Sequence, residues 1–261
     1  MKTIVYASPG GETLCADAYL TESGAPAPVI LALHGGSWKR GVRAAYRYLG
    51  PWLAERGYAL LALDYRLVRG TENLYPAAVD DVRSALRYVR EHAAELNVDP
   101  ARIILLGDSA GAHLATLVGL TERPAVGVVV GVYGVYDLAA QWQHDLAMRP
   151  GDNIAQGFLG APLSENPQLY FEASPLSHAT TGNADGGPAF FLAWGVHDDI
   201  VDHRTQSEAF LLALKQAGFY VRTAVQQAPH FWVSDPLDEP GSHSAYFAAR
   251  LLRFLNDRLP R

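Results

Sequence analysis

Cysteine, clusters of one charge and long apolar stretches are all scarce in this sequence, and each shortage removes a class of protein. The one cysteine, Cys15, has no partner for an internal disulfide or a thiolate metal site, so nothing here demands an oxidising compartment. Against 27 Asp and Glu stand 21 Lys and Arg, a net charge of −6 with no basic cluster, which argues against a nucleic-acid partner. No stretch approaches the roughly 20 apolar residues of a membrane span. Met1 to Tyr6 reaches Ser8-Pro9-Gly10-Gly11 before a leader-like apolar region can form, so the expectation is no membrane and a cytoplasmic location. The histidines show no H-E-x-x-H or similar spacing, and no metal is expected.

What is present is a chain of 261 residues, 49% hydrophobic and 18% charged, enough to bury a core in a single domain spanning 1–261. Short β-branched runs alternate with longer helical patterns, which predicts an α/β fold with a mostly parallel sheet and helices on both faces. Thr3–Ala7 and Leu14–Leu20 alternate apolar and polar residues around Pro9-Gly10-Gly11, as an antiparallel pair at a sheet edge does. Val29–Leu33, Ala59–Leu63, Ile103–Leu106 and Val126–Val132 are nearly continuous apolar runs, the signature of strands buried on both faces. Helices are predicted over Arg43–Glu55 and Pro76–Glu95. Beyond the irregular segment Asp137–Gly187 come strand Ala189–Trp194, helix Thr205–Ala217, strand Val221–Val225 and helix Ser244–Leu259. The order is an eight-stranded plan in which 137–187 reads as a partly helical lid.

Ile103 to Leu114 (IILLGDSAGAHL) is a strand, then G-x-S-x-G, then a helix. A serine on so sharp a turn leaves no room for side chains two residues to either side, and glycines there let the backbones close while Ser109 stays exposed. The turn aims the Ala110 N–H at the oxygen of a bound carbonyl. After the first long strand, His34-Gly35-Gly36-Ser37-Trp38 offers further oxyanion donors, assigned to Gly35 and Gly36 with Ser37 in reserve and His34 as a brace. The acid is expected after the next-to-last strand, where Asp198, Asp199 and Asp202 compete. Asp198 comes first after the turn, and the other two read as solvated or helix-capping residues. The base is expected after the last strand, where His230 stands, with His243 as second choice and His113 in a packing role. Trp38, Trp142, Trp194 and Trp232 fall on loops or strand ends near these residues, either lining an apolar substrate pocket or packing in the core.

HGGSW, the stretch YRL with YPAAVDDVRSALRYVREHAAELNVDPARI, and GDSAGAHLA resemble the α/β-hydrolase superfamily, in its hormone-sensitive-lipase-like and bacterial feruloyl-esterase-like branches. The resemblance spans nearly the whole chain and implies an α/β-hydrolase fold and a cofactor-free serine carboxylesterase acting on small esters. It implies Ser109 as nucleophile, oxyanion donors from the HGGSW match, and an acid three residues after Gly195, which is Asp198. The chain departs from the first branch in two ways: the region before Val29 is too short for a large helical cap, and HGGSW replaces HGGG. HGGxW, QSEAFLLAL and APHFW also resemble kynurenine formamidase, which cleaves an aryl formamide with the same triad, so the resemblance leaves ester and formamide both open. A third reading is a binding module that keeps the fold without the chemistry.

Overall fold

The apolar runs fold as strands because nothing in them can face water on either side. The computed structural model describes residues 1–22 and 24–259. In chain order the elements are β1 (Lys2–Ala7), β2 (Leu14–Tyr19), β3 (Ala27–Leu33), α1 (Leu49–Ala54), β4 (Ala59–Leu63), α2 (Ala77–Glu91), α3 (Ala93–Leu96), β5 (Val98–Asp108), α4 (Ala110–Thr121) and β6 (Val128–Val132). They continue with α5 (Leu138–Met148), α6 (Ile154–Leu159), α7 (Pro167–Ala173), α8 (Thr181–Ala184), β7 (Ala189–Gly195), α9 (Ala209–Ala217), β8 (Val221–Gln226) and α10 (His243–Arg258).

The eight strands form one sheet in the order β1-β2-β4-β3-β5-β6-β7-β8. β1 and β2 pair antiparallel, as does β2 with β4, and all pairs from β4 through β3 to β8 are parallel. Alternate residues of β3 go to opposite faces. Val29, Leu31 and Leu33 join Val79, Val82, Leu114 and Val118 from α2 and α4. Ile30 and Ala32 join Leu49, Leu53, Phe247 and Leu251 from α1 and α10. The fold is thus the mostly parallel, three-layer α/β arrangement that the sequence pattern predicts, with β1 and β2 as the antiparallel edge, and the α/β-hydrolase fold that the resemblance implies.

The chain runs from β3 to β4 on one side and later places β5 on the other side of β3. Such a reversal opens a crevice at the carboxyl ends of the strands. The loops after β3, β5, β7 and β8 all leave from that end of the parallel sheet.

Several helices are shorter than their patterns. Arg43–Glu55 divides into a 3₁₀ turn at Arg43–Tyr46 and α1, because Pro51 has no N–H to continue a helix and Tyr46 is wholly buried where the turn ends. The predicted Pro76–Glu95 helix stops at Glu91, and the His92 ring Nδ1 bonds the Tyr88 carbonyl at 2.9 Å. Thr205–Ala217 begins as a single π turn at Arg204–Glu208 before α9. In 137–187, α5, α6 and α7 each start on a side-chain cap, from Asp137, Asn153 and Asn166 respectively. Among the described residues no helix is long and apolar enough to cross a membrane.

Candidate active site

β5 delivers the chain to Ser109, whose backbone turns to φ +52° and ψ −120° before α4 starts at Ala110. That conformation costs a non-glycine residue about 1–3 kcal/mol and persists only where the surroundings enforce it. Here they do. The Ser109 N–H donates to the Val132 carbonyl at 2.8 Å, and the Ser109 carbonyl accepts from the His113 N–H at 3.1 Å. A Cβ on Gly111 would stand 1.8 Å from the Leu33 carbonyl oxygen, so α4 closes on β3 only with hydrogen at that position.

Ser109 Oγ lies 3.0 Å from His230 Nε2, and His230 Nδ1 lies 2.5 Å from Asp198 Oδ2. A carboxylate only accepts, so Nδ1 carries the ring proton and Nε2 is left as the acceptor for the serine hydroxyl. Asp198 is held by its other oxygen, Oδ1, which accepts the N–H groups of Ile200 at 3.0 Å and Val201 at 2.9 Å. The His230 and Asp198 side chains are 2% and 1% exposed, so the hydrogen bond between them is shielded from water.

The loop after β3 is braced as a unit. Burial pushes the His34 imidazole below its usual range, which keeps it neutral, and Nδ1 donates to the Gly35 carbonyl at 2.8 Å. Tyr65 stacks on that ring at 4.4 Å and donates its hydroxyl to the His34 carbonyl at 2.7 Å. Beneath the loop lies Asp108, the middle residue of Gly107-Asp108-Ser109. Its Oδ1 accepts the Tyr46 hydroxyl at 2.8 Å, and that hydroxyl also reaches the Leu33 carbonyl at 2.9 Å. Burial pushes the Asp108 carboxyl up to about 6, against the Tyr46 hydroxyl, the His230 imidazole and the Gly35 amide, which pull it down. A Cβ at Gly35 would sit 2.6 Å from Asp108 Oδ2, so the carboxylate and the loop backbone share one tight contact.

With this geometry in place, similarity to known proteins is informative. Residues 16–214 match BD-FAE. The chain belongs to the BD-FAE family. Esterase LipQ of Mycobacterium tuberculosis is 32% identical over 227 residues, 80% of this chain and 52% of LipQ. Carboxylesterase NlhH of the same species is 39% identical over 191 residues, 67% of this chain and 57% of NlhH. The chain spans about half the length of the curated relatives it matches. Among solved structures, the butyrate-bound thermophilic esterase Est2 of Thermogutta terrifontis superposes with a TM-score of 0.80 at 25% identity, covering 100% of this chain and 96% of Est2.

In this BD-FAE chain the sequence-derived alternatives fall away from the Ser109–His230–Asp198 group. Asp199 is exposed, and Asp202 accepts the Thr205 hydroxyl at 2.9 Å at the start of the π turn, a capping contact. His243 begins α10 and bonds Gln226 Oε1 at 3.1 Å. His113 is fully buried, donates Nε2–H to the Ala173 carbonyl at 2.8 Å, and is pushed by burial down to about 4.

The tryptophans correct the pocket expectation. Trp38 is 0% exposed, stacked on Phe158 at 4.3 Å and edge-on to His113 at 5.1 Å. Trp232 is 1% exposed and packs against Tyr133 and Phe247 on the far face of the sheet. Both are core residues, because each loop folds its large ring inward to cover a sheet face. Trp194 is likewise buried, and half-buried Trp142 donates its Nε1–H to Gln156 Oε1 at 3.2 Å inside the 137–187 segment. A hollow of about 650 Å³ bounded by Tyr19, Leu20, Pro51 and Arg102 lies at the opposite, amino end of β3, away from Ser109. The site is located by its chemistry rather than by that volume.

Two participants left little trace in the sequence. Asp108 is an acid at the end of an apolar strand, the one mark that it does something particular, and Tyr46 carries no signal beyond an aromatic in a helix-like stretch.

Proposed function

We propose that this chain is a serine hydrolase of small carboxylic esters, working through an acyl-enzyme on Ser109. The observation that carries the reading is the continuous hydrogen-bonded line from Ser109 through His230 to Asp198, at 3.0 and 2.5 Å. His230 Nε2 takes the Ser109 proton as Oγ attacks the ester carbonyl, and Asp198 steadies the imidazolium. The tetrahedral oxyanion is met by backbone N–H groups at Gly36 and Ala110. Gly35, the third sequence-derived donor, lies on the same loop, packed against the Asp108 carboxylate. Collapse passes the proton from Nε2 to the departing alkoxide, and water repeats the cycle to release the acid.

The family, the esterase relatives and Est2 support the ester reading, and no residue of the site favours a formamide over it. The 137–187 segment serves as a packed wall of one hydrolase domain rather than as a swinging lid, since its Phe158 and Tyr170 are buried in the main core and Phe158 stacks on Trp38. No step requires a cofactor.

The experiment is hydrolysis of acetyl, butyryl, octanoyl and feruloyl esters and of N-formylkynurenine by wild type, Ser109→Ala, Asp198→Asn and Asp199→Asn. Expected are turnover of the short esters, butyryl included, a loss of ~10⁶ in rate in Ser109→Ala and of ~10⁴ in Asp198→Asn, with Asp199→Asn near wild type. Activity surviving in Ser109→Ala overturns the mechanism. Preference for N-formylkynurenine replaces the esterase with an arylformamidase, and a folded but inert wild type replaces it with a binding module.

A further inference from the structure

His230 lies between two aromatic rings in very different circumstances. Tyr133 is buried, with its ring tilted at 4.4 Å from the imidazole and its hydroxyl accepting the Val233 N–H at 3.2 Å. Phe231 stands edge-on to the imidazole at 4.3 Å yet is 56% exposed. Its backbone is left-handed, φ +64°, a conformation that a bulky side chain rarely adopts.

The neighbours explain how Phe231 is held there. His230 is tied to Ser109 and Asp198 on one side. On the other, Trp232 is buried among Tyr133 and Phe247, and its carbonyl accepts the Ser244 hydroxyl at 2.6 Å. With both neighbours anchored inward, the left-handed turn throws the ring out to the surface beside the imidazole. Strain and an exposed ring both cost free energy, and a glycine would adopt this backbone without either.

We propose that Phe231 determines specificity by forming the apolar wall against which the alcohol half of the ester lies. The proposal rests on the reading of Ser109 as nucleophile and His230 as its base. Its direction follows from the proton: when the tetrahedral intermediate collapses, the ester C–O bond breaks and Nε2–H passes to the departing alkoxide oxygen, so the alcohol must sit beside the imidazole. Phe231 presents an exposed apolar ring 4.3 Å from the imidazole. An aromatic alcohol gains a ring contact there, and a small polar alcohol does not. The acyl group remains on Ser109 after the alcohol has left and does not use this wall.

The test compares kcat/KM for benzyl acetate and 2-methoxyethyl acetate, whose alcohols are of similar acidity, in wild type, Phe231→Gly and Phe231→Asn. Both replacements accept a left-handed backbone. Ethyl acetate against ethyl hexanoate supplies the acyl control, and Ser109→Ala runs alongside. The benzyl-to-methoxyethyl ratio is expected to fall about fivefold in both variants, with the acyl ratio within about twofold of wild type and the melting temperature of Phe231→Gly equal or higher. An unchanged alcohol ratio overturns the proposal. So does an equal loss on every substrate, which would make the ring a support for His230, and so does a lowered melting temperature in Phe231→Gly, which would make it a packing residue. Activity surviving in Ser109→Ala would instead overturn the underlying mechanism, whatever the Phe231 variants do.

Discussion

Around Ser109 the fold is secured by backbone contacts so close that no side chain fits, whereas the neighbouring 137–187 segment is secured by buried polar side chains that bond to one another and to backbone. At the elbow, the approach of Gly111 to the Leu33 carbonyl sets the turn. In the segment, Asp145 is wholly buried and binds the Ile154 N–H at 2.8 Å, Gln141 Nε2 at 2.9 Å and the Arg149 guanidinium, while Gln141 Nε2 also reaches the Ile200 carbonyl at 3.1 Å. Gln206 fastens the entrance, its Oε1 accepting the N–H groups of Tyr136 at 2.7 Å and Asp137 at 2.9 Å. Backbone closeness restricts a few positions to one residue type at one spacing. Side-chain bonding can be supplied by many residues from many places, and it ties the segment to the acid loop without leaving a pattern.

The comparison can be broken at either end. Gly111→Ala should have the largest effect, because its new methyl collides with β3 backbone that cannot move without displacing Ser109. We expect a stability loss of about 4 kcal/mol together with near-complete loss of the proposed ester hydrolysis, read by denaturant unfolding and kcat/KM. A well-folded, active Gly111→Ala would show that the elbow is not held by this contact. Asp145→Ala should cost about 3 kcal/mol by the same unfolding assay, since it strips three bonding partners at once. Its activity should fall far less than that of Gly111→Ala, because Ser109 and the elbow are untouched. Equal losses of activity would mean that the segment sets the geometry of the site as strictly as the elbow does.

Asp108→Asn sharpens the comparison with a change that depends on pH. Burial raises the Asp108 carboxyl to about 6 from an ordinary value of 3.8, so the folded protein holds this proton more tightly than the unfolded chain. Stability from this group is therefore full below about pH 4, is lost as pH rises through 6, and by pH 7 the charged carboxylate has cost roughly 3 kcal/mol. Asparagine does not titrate, so the stability of Asp108→Asn relative to wild type should rise by that amount between pH 4 and pH 7. Parallel stability curves for the two proteins would remove Asp108 as the group responsible.

The parts of the site legible in sequence are those whose chemistry leaves one residue type possible. Gly107-Asp108-Ser109-Ala110-Gly111 announced the sharp turn because it excludes side chains, and counting strands led to the loop holding Asp198, Asp199 and Asp202 and to His230, since the proposed acid and base leave adjacent parallel strands at the same end of the sheet. The tryptophans were not legible. Trp38 and Trp232 stand beside site residues in the chain, yet both rings are turned into the core, and adjacency in sequence says nothing of which way a ring points. Gly35 was legible as a glycine but not in its neighbour: it packs against the Asp108 carboxylate, which the sheet brings to it from a strand far along the chain.

By itself the sequence determined the alternation of strand and helix, the antiparallel edge, the strained serine turn and the strand ends that carry Ser109, Asp198 and His230. These rest on local chemistry: apolar periodicity, residues that tolerate unusual backbone, and short motifs at strand ends. Only the tertiary structure decided that Asp198 rather than Asp199 faces His230, that Tyr46 and Asp108 brace the loop after β3, and that Phe231 is thrown outward beside the imidazole. Those outcomes depend on what the sheet brings across from distant parts of the chain, and burial, distance and hydrogen-bond direction exist only once it has formed.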